Sequence, residues 1–197
     1  MKLRKIIERS AVRSPAYSNI TMELWEIYDI DRQKTGRLAQ RKNGCSLPAG
    51  DYHLVVHICL FNQKGQLLIQ QRQLHKAGYP GLWDVTAAGS ALAGENSAAA
   101  AARELWEELG LRHNFSQERP HYTMNFPDGF DDVYLIRRDD VQLSDLRLQE
   151  EEVRDAKWAT LDEIEAMLQT GEFIPYYPDL VRLWFAMRNH RGSTEHE

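Results

Sequence analysis

The sequence predicts a single domain of the mixed α/β (α+β) class. Residues 51–61 are rich in aliphatic and β-branched side chains and predict a strand, whereas the alanine tract 98–102 opens a run of strong helix formers. A chain of 197 residues can bury one core and is too short for two ordinary enzyme domains. We therefore expect one domain over residues 21–190, an N-terminal extension at 1–20 and a tail at 191–197.

The first half of the domain contains strand and turn signals. Residues 22–30 are strand-like, and residues 51–61 run into the turn Asn-Gln-Lys-Gly at 62–65. QLLIQQR follows that turn, so the two segments predict a β-hairpin. WDVTAA at 83–88 is a further short strand candidate that leads directly into Gly89.

The second half of the domain repeats the strand signal and then changes to helical patterns. HYTMNF at 121–126 and DVYLI at 132–136, joined by Pro-Asp-Gly, predict a second hairpin, and VRDAKW at 153–158 predicts another strand. Thr160-Leu-Asp-Glu163 matches a capping box and predicts a helix start. A last helix is expected from about Pro178, because proline is favoured at the first helical position.

Composition restricts the classes of function. A net charge of −5 and a pI near 5.8 argue against a protein that binds a nucleic-acid polymer. No apolar stretch is long enough to span a membrane and no secretory signal precedes the domain, so we expect a soluble cytoplasmic protein. The two cysteines, Cys45 and Cys59, do not indicate a disulfide framework, and Cys59 is expected to be a buried free thiol.

The N-terminal extension has an unusual charge balance. Its cations are Lys2, Arg4, Lys5, Arg9 and Arg13, and they face a single acid, Glu8. We interpret it as an appendage outside the fold, with a basic nucleic-acid-binding arm as the functional alternative.

A helix after the alanine tract carries the chemistry. Glu104, Glu107 and Glu108 are spaced i, i+3 and i+4, so their carboxylates share one face and repel one another unless a cation lies between them. Mg²⁺ prefers oxygen ligands and fits such a set. The plain alternative is a solvated acidic face. Leu105 and Leu109 form an adjacent stripe expected to pack on the core.

The residues in front of this helix extend the pattern into a known motif. The order is Gly89, five residues, Glu95, seven residues, Arg103-Glu104, two residues, Glu107-Glu108, one residue, Gly110 and Leu111. This spacing resembles the box of the Nudix hydrolase superfamily (MutT-like) at every position. The resemblance implies an α/β/α sandwich with a mixed central sheet and a catalytic strand-loop-helix.

The resemblance also implies roles for the box residues. Mg²⁺, with Mn²⁺ as an alternative, would be bound by the carbonyl of Gly89 and the carboxylates of Glu104, Glu107 and Glu108. Arg103 and Glu95 would orient the helix and its loop. The implied reaction is hydrolysis of a diphosphate linkage in a small molecule, by default a nucleoside diphosphate or its conjugate, with prenyl diphosphates as the alternative.

Segments outside the box look like a bacterial subgroup related to isopentenyl-diphosphate isomerase. That isomerase needs a cysteine as an acid–base group where this chain has Ala87 and Ala88, and a metal-binding histidine where it has Ser90. His53 matches another histidine of the isomerase site, although a histidine beside a strand is more often structural. Isomerase activity is therefore disfavoured. A ligand-binding domain without catalysis is the other alternative, and the intact box argues against it.

Residues outside the box are expected to provide the base and the substrate contacts. The acidic triplet 150–152 precedes a strand, and Glu152 is the favoured candidate for the proton acceptor, with the box glutamates as other candidates. A solvated loop is an equal alternative for this triplet. The substrate candidates are Arg72, Lys76, Trp83 and Phe126. Aromatic residues are also common in protein cores, so burial in the core is the alternative for Trp83 and Phe126. The same two interpretations apply to Trp25, Tyr28, Phe130 and Tyr134. The sequence leaves oligomeric state open, and a homodimer is favoured because two-fold dimers are the commonest assembly.

Overall fold

The structure is a computed structural model that describes residues 23–40 and 47–194. Within these ranges the strands are β1 (Leu24–Tyr28), β2 (Lys34–Gln40), β3 (His53–Phe61), β4 (Leu67–Arg72), β5 (Trp83–Asp84), β6 (Ala87–Ser90), β7 (Tyr122–Phe126), β8 (Gly129–Arg137) and β9 (Val153–Ala159). The helices are α1 (Ser97–Leu109), α2 (Leu161–Thr170) and α3 (Pro178–Met187). None of the described helices is long and apolar enough to cross a membrane. The N-terminal extension and Cys45 lie outside the described residues.

A mixed sheet forms the centre of the domain. Its strand order is β5-β4-β3-β8-β7, with β6 paired to β3 and β9 paired to β4. The pair β3–β8 is parallel, and the other pairs in this sheet are antiparallel. Strands β1 and β2 form a separate two-stranded sheet. The predicted mixed class and central mixed sheet are confirmed.

Alternation along β3 assigns the two faces of the sheet. Leu54, Val56, Ile58 and Leu60 belong to a core cluster that includes the buried residues of α1. Residues of the opposite parity, such as Cys59, belong to a second cluster with the buried residues of α2 and α3. Because side chains alternate across a strand, the sheet lies between α1 on one face and α2 with α3 on the other. This is the predicted α/β/α sandwich.

The predicted helix ends are confirmed by their capping contacts. Thr160 and Glu163 form the reciprocal capping box of α2, and Pro178 is the first residue of α3. Gly110 ends α1 in the left-handed conformation with φ of 70°, which glycine adopts without a steric penalty. Cys59 is a buried free thiol, as expected.

The segment 83–88 differs from the prediction of one strand. It forms two strands, and Thr86 lies between them with its side chain inserted between β3 and β4. The Thr86 hydroxyl accepts from the Leu60 amide at 2.8 Å and donates to the Leu68 carbonyl at 2.6 Å. These bonds replace a direct contact between the two strands, which share one register pair, Phe61 with Leu67.

Strand β2 was not among the predicted elements. Its residues alternate little and are almost all exposed, so hydrophobic periodicity provided no signal. It forms because it pairs with β1, whose strand character was predicted. The core alternative is correct for four of the aromatic residues, namely Trp25, Tyr28, Phe130 and Tyr134.

Candidate active site

Helix α1 presents the acidic residues of the box to one end of the sheet. Its first turn is capped by Asn96, whose side chain accepts from the amide of Ala99 at 2.9 Å. Leu105 and Leu109 are fully buried against the sheet, as predicted. Their burial fixes the rotation of the helix about its axis, and the three box glutamates then line one cleft.

Strand β6 places Gly89 directly against the helix. Gly89 pairs with Val56 of β3, and the carboxylate of Glu104 lies over its Cα. A β carbon at position 89 would stand 2.0 Å from Glu104 Oε1 and 2.2 Å from its Cδ. The motif therefore requires glycine here because the carboxylate occupies the space of a side chain.

Arg103 connects the box residues to one another. Its Nε and Nη2 donate to the two oxygens of Glu95 at 2.8 and 3.0 Å, and Nη2 also donates to the Ser90 carbonyl at 3.0 Å. Its Nη1 donates at 2.9 Å to both Glu104 and Glu107. Glu95 in turn accepts from the amide of Leu92 at 2.9 Å. One guanidinium thus joins the loop, the strand and two of the three acidic side chains.

Glu108 is the most deeply placed acid of the site. It is 4% exposed and accepts from Gln70 Nε2 at 2.8 Å and from the amide of Ala88 at 3.3 Å. Burial, together with the charge of Glu104, raises its pKa well above the ordinary value. Burial also raises the pKa of Glu104 to about 7, against the lowering effect of Arg103. The site therefore favours a positive charge beside these two carboxyl groups.

The cleft in front of α1 is small and polar, with a volume of about 100 Å³. Its lining consists of Glu23, Arg72, Lys76, Ala88, Gly89, Arg103, Glu104, Glu107, Glu108, Gln149 and Glu152. The predicted residues Arg72, Lys76 and Glu152 are therefore brought together with the box. Glu23 and Gln149 were not predicted, because nothing in their local sequence distinguishes them from ordinary surface residues. Gln149 reaches the site through a backbone bond to the Glu108 carbonyl at 3.0 Å.

The cations of the cleft are held by neighbouring groups. Arg72 donates through Nε to the Gly78 carbonyl at 3.1 Å, and its Nη1 lies 3.6 Å from Asp84 Oδ2. Lys76 forms an ion pair with Glu152. Both side chains are less than 20% exposed, so they are directed into the cleft rather than into solvent.

Two predicted substrate residues lie outside this cleft. Trp83 packs against the cluster on the α2 and α3 face, and Lys157 lies over its ring at 4.3 Å from the centroid. Phe126 packs edge-on against His53 at 5.4 Å, at the end of β7. Strand pairing directs these two residues to other parts of the sheet, so the structure does not bring them together with the box, and their role as substrate contacts stays a prediction.

The donor set fits a hard divalent cation. The negative charge of Glu104 raises the pKa of Glu108, so the two carboxylates repel each other. The Gly89 backbone lies against Glu104, and such a set of oxygen atoms suits Mg²⁺. Glu107, 46% exposed, is turned toward Arg103. Within residues 23–40 and 47–194 no three acidic, histidine or cysteine side chains converge on one point. To bind the metal, Glu107 would therefore have to break its ion pair with Arg103.

Comparison with known proteins agrees with this geometry. The model of the NUDIX domain matches residues 51–179. The chain belongs to the Nudix hydrolase superfamily. It is 51% identical over 156 residues to an uncharacterised Nudix hydrolase of Listeria monocytogenes, covering 79% of this chain and 90% of the relative. The crystal structure of DR0079 from Deinococcus radiodurans has the same fold, with a TM-score of 0.63 and 24% identity over 82% of this chain and 97% of that one.

Isomerases are also among the relatives of this Nudix chain. An isopentenyl-diphosphate Δ-isomerase of Streptomyces avermitilis is 32% identical over 160 residues, covering 78% of this chain and 80% of the relative. Ala87 is fully buried and Ala88 lines the cleft, and neither methyl group can transfer a proton. His53 stacks on Trp25 with ring centroids 4.1 Å apart. Superfamily membership identifies the protein as an enzyme of the pyrophosphohydrolase class.

Proposed function

We propose that this Nudix protein hydrolyses a diphosphate linkage in a small molecule, using Mg²⁺ or Mn²⁺ held by Glu104, Glu107, Glu108 and the Gly89 carbonyl. The observation that carries the proposal is the shared cleft, in which these residues face Arg72 and Lys76. Oxygen ligands on one side and cations on the other suit a ligand with several phosphate oxygens. Mg²⁺ in this position would neutralise phosphate charge and polarise water and the phosphoryl oxygens.

The protein side chains have separate tasks in this reaction. Arg72 and Lys76 bind the phosphate oxygens, and Arg103 orients the acidic side chains through its contacts with Glu95, Glu104 and Glu107. A water oxygen forms a bond to one phosphorus while the bond from that phosphorus to the bridging oxygen breaks. The charge that develops on the bridging oxygen leaves with the second phosphate.

Glu152 is the proposed acceptor of the water's proton. It lies in the cleft and forms an ion pair with Lys76. Substrate phosphate would draw Lys76 toward itself and release the carboxylate for proton transfer. Replacing Glu152 by Gln should lower turnover by about a hundredfold, on the scale of general-base catalysis, without a comparable change in metal affinity. If turnover in Glu152→Gln stays near that of the wild type, a box glutamate is the base.

The proposed substrate class is a nucleoside diphosphate or its conjugate. The experiment is a panel of nucleoside diphosphates, nucleotide sugars and isopentenyl diphosphate, assayed with Mg²⁺, with Mn²⁺ and with EDTA, with products identified by ³¹P NMR. Metal-dependent phosphate or mononucleotide release by the wild type, lost in Glu108→Gln, is the expected result. Glu172→Gln is a matched control, because Glu172 is exposed and outside the cleft.

The panel also tests the alternatives. Conversion of isopentenyl diphosphate to dimethylallyl diphosphate, at a rate comparable to any hydrolysis, would replace the proposal with an isomerase. Binding of a diphosphate without turnover under either metal would replace it with a ligand-binding domain.

A further inference from the structure

A line of polar side chains connects the face of the sheet that carries α2 and α3 to the cleft. His57 Nδ1 is 2.7 Å from Asp131 Oδ1, and His57 Nε2 is 3.1 Å from the Tyr176 hydroxyl. That hydroxyl donates to Asp84 Oδ1 at 2.8 Å. We call Asp131, His57, Tyr176 and Asp84 the polar relay. It ends at Arg72 of the cleft, whose Nη1 is 3.6 Å from Asp84 Oδ2.

The segment between α2 and α3 holds the relay together. Its backbone pairs with β5, since the Trp83 amide donates to the Glu172 carbonyl at 2.8 Å and the Ile174 amide donates to the Trp83 carbonyl at 2.9 Å. These bonds place Tyr176 next to Asp84. The Tyr176 ring packs edge-on against Trp184, with centroids 5.2 Å apart, so its hydroxyl has a fixed direction.

The three hydrogen bonds of the relay need three protons. Two ionised aspartates, a neutral imidazole and a phenol supply only two, so the relay needs one additional proton. Nδ1–H donates to Asp131, and the single Tyr176 proton donates to Asp84. The remaining bond, between Nε2 and the Tyr176 oxygen, then needs a proton on Nε2. In the alternative arrangement, the Tyr176 hydroxyl donates to an unprotonated Nε2, and a protonated Asp84 donates to the Tyr176 oxygen.

The contacts of Asp84 decide between these two arrangements. The Tyr176 hydroxyl donates to one oxygen of Asp84, and Arg72 Nη1 lies 3.6 Å from the other, so Asp84 acts as an acceptor and the additional proton belongs to His57. Burial opposes a charged imidazole, yet the hydrogen bond and charge of Asp131, with the charge of Asp84, leave the pKa of His57 raised. The titratable groups that face His57 are Asp131 from β8, Asp84 from β5, Tyr176 and Cys59 of β3.

We propose that Tyr176 and His57 are positioning residues for Arg72, which they hold at the phosphate side of the cleft by orienting the carboxylate of Asp84. Asp84 contacts Nη1 of Arg72, and the Gly78 carbonyl accepts from its Nε. These two contacts orient the guanidinium before the diphosphate binds. The proposal rests on the proposed function for its substrate, but it concerns binding rather than bond cleavage.

The test is a double-mutant cycle of Tyr176 and Arg72. Tyr176→Phe keeps the ring and removes the hydroxyl, and Tyr177→Phe is the matched control because the Tyr177 side chain is 83% exposed. Calorimetry measures the Kd of methylenediphosphonate, a diphosphate that cannot be hydrolysed at its bridge, in the presence of Mg²⁺. We expect Tyr176→Phe to raise this Kd about tenfold, the effect of one hydrogen bond, and Tyr177→Phe to leave it unchanged.

In the Arg72→Ala background, Tyr176→Phe should have no further effect on the Kd, because its target is absent. If the effects of the two substitutions on the free energy of binding are fully additive, the proposal is overturned. With a substrate that the wild type hydrolyses, Tyr176→Phe should raise KM with kcat within about twofold, as expected for a change in ground-state binding. A wild type that binds the analogue but hydrolyses nothing refutes the proposed function and leaves the cycle as the test of the relay.

The protonation of His57 provides a second measurement. ¹⁵N NMR of the folded wild type at pH 7 should show both ring nitrogens of His57 protonated. A neutral ring with an unprotonated Nε2 would place the proton on Asp84 and overturn the relay. His57→Gln should reproduce the Kd increase of Tyr176→Phe, and a Kd equal to that of the wild type in the folded variant would exclude His57 from the positioning role.

Discussion

The Glu104 carboxylate lies over the Cα of Gly89, in the volume that any other residue at position 89 would fill with its β carbon. Gly89→Ala should therefore displace Glu104 and lower kcat by at least about a hundredfold, the scale of losing one essential electrostatic group. Folding should survive, because α1 stays anchored by Leu105 and Leu109. Steady-state kinetics of Gly89→Ala tests this, with Glu172→Gln as the control because Glu172 is exposed and outside the cleft. Equal kinetics in the two variants would contradict the steric role.

Glu108→Gln should lower turnover by at least about a hundredfold, because it removes a charged oxygen from the deepest part of the site. The amide oxygen can still accept from Gln70 and from the Ala88 amide, so the variant should fold. In EDTA its melting temperature should exceed that of the wild type, because a buried like charge beside Glu104 is gone. Wild-type turnover in Glu108→Gln would exclude this residue from the mechanism.

Arg103→Lys should lower both stability and activity. Lysine cannot reproduce the fork that joins Glu95, Glu104, Glu107 and the Ser90 carbonyl. We expect a loss of about 1–3 kcal/mol in the free energy of unfolding from unsatisfied acceptors. Activity should fall about ten- to a hundredfold, as is typical when a group that orients metal ligands is lost. Denaturant unfolding and kinetics measure both, with Arg137→Lys as the control, because Arg137 pairs with Asp139 on the surface.

Metal and pH should act on stability in opposite directions. The folded-state pKa of Glu104 is about 7 and that of Glu108 is also raised, whereas both are near 4.5 when unfolded. Their ionisation therefore destabilises the fold above pH 7, and this penalty disappears as the pH falls toward 4.5. In EDTA, the melting temperature of the wild type relative to Glu108→Gln should rise as the pH is lowered from 8 to 6.

Mg²⁺ should reverse that trend, because it binds the ionised carboxylates of the folded chain. The Mg²⁺-induced rise in melting temperature should be larger at pH 8 than at pH 6 and should shrink in Glu104→Gln. His121, whose pKa burial lowers to about 4, destabilises the fold on acidification in both proteins alike, so the difference between them isolates the glutamates. An equal Mg²⁺ effect in wild type and Glu104→Gln would show that the metal binds elsewhere.

The parts of the site that the sequence predicted are those encoded by local spacing. The i, i+3, i+4 glutamates, the helix end at Gly110 and the glycine before the helix all lie within one short segment. Arg72, Lys76 and Glu152, which follow or precede predicted strands, line the same cleft as the box, and their roles there stay predictions.

The parts that the sequence did not predict depend on pairing between distant segments. Trp83 packs on the far face because β5 pairs with β4 and with the backbone of residues 172–174. Glu23 reaches the cleft from the start of the described chain, and its neighbours provide no signal of that position. The polar relay joins residues up to 119 positions apart, and no periodicity records such a contact.

The side chain of Thr86 connects β3 and β4 where the two strands separate, and this contact should restrict motion of the sheet. Along this edge of β3, the backbone forms hydrogen bonds first with β6, then with the Thr86 hydroxyl and last with β4. One side chain thus completes a hydrogen-bond ladder across the place where two strands separate. The Leu60 amide, fully buried and bonded to that hydroxyl, should exchange its hydrogen with deuterated water only through global unfolding. We therefore expect the divergence of β3 and β4 to be a rigid feature of the native state, maintained by a residue outside the lining of the cleft.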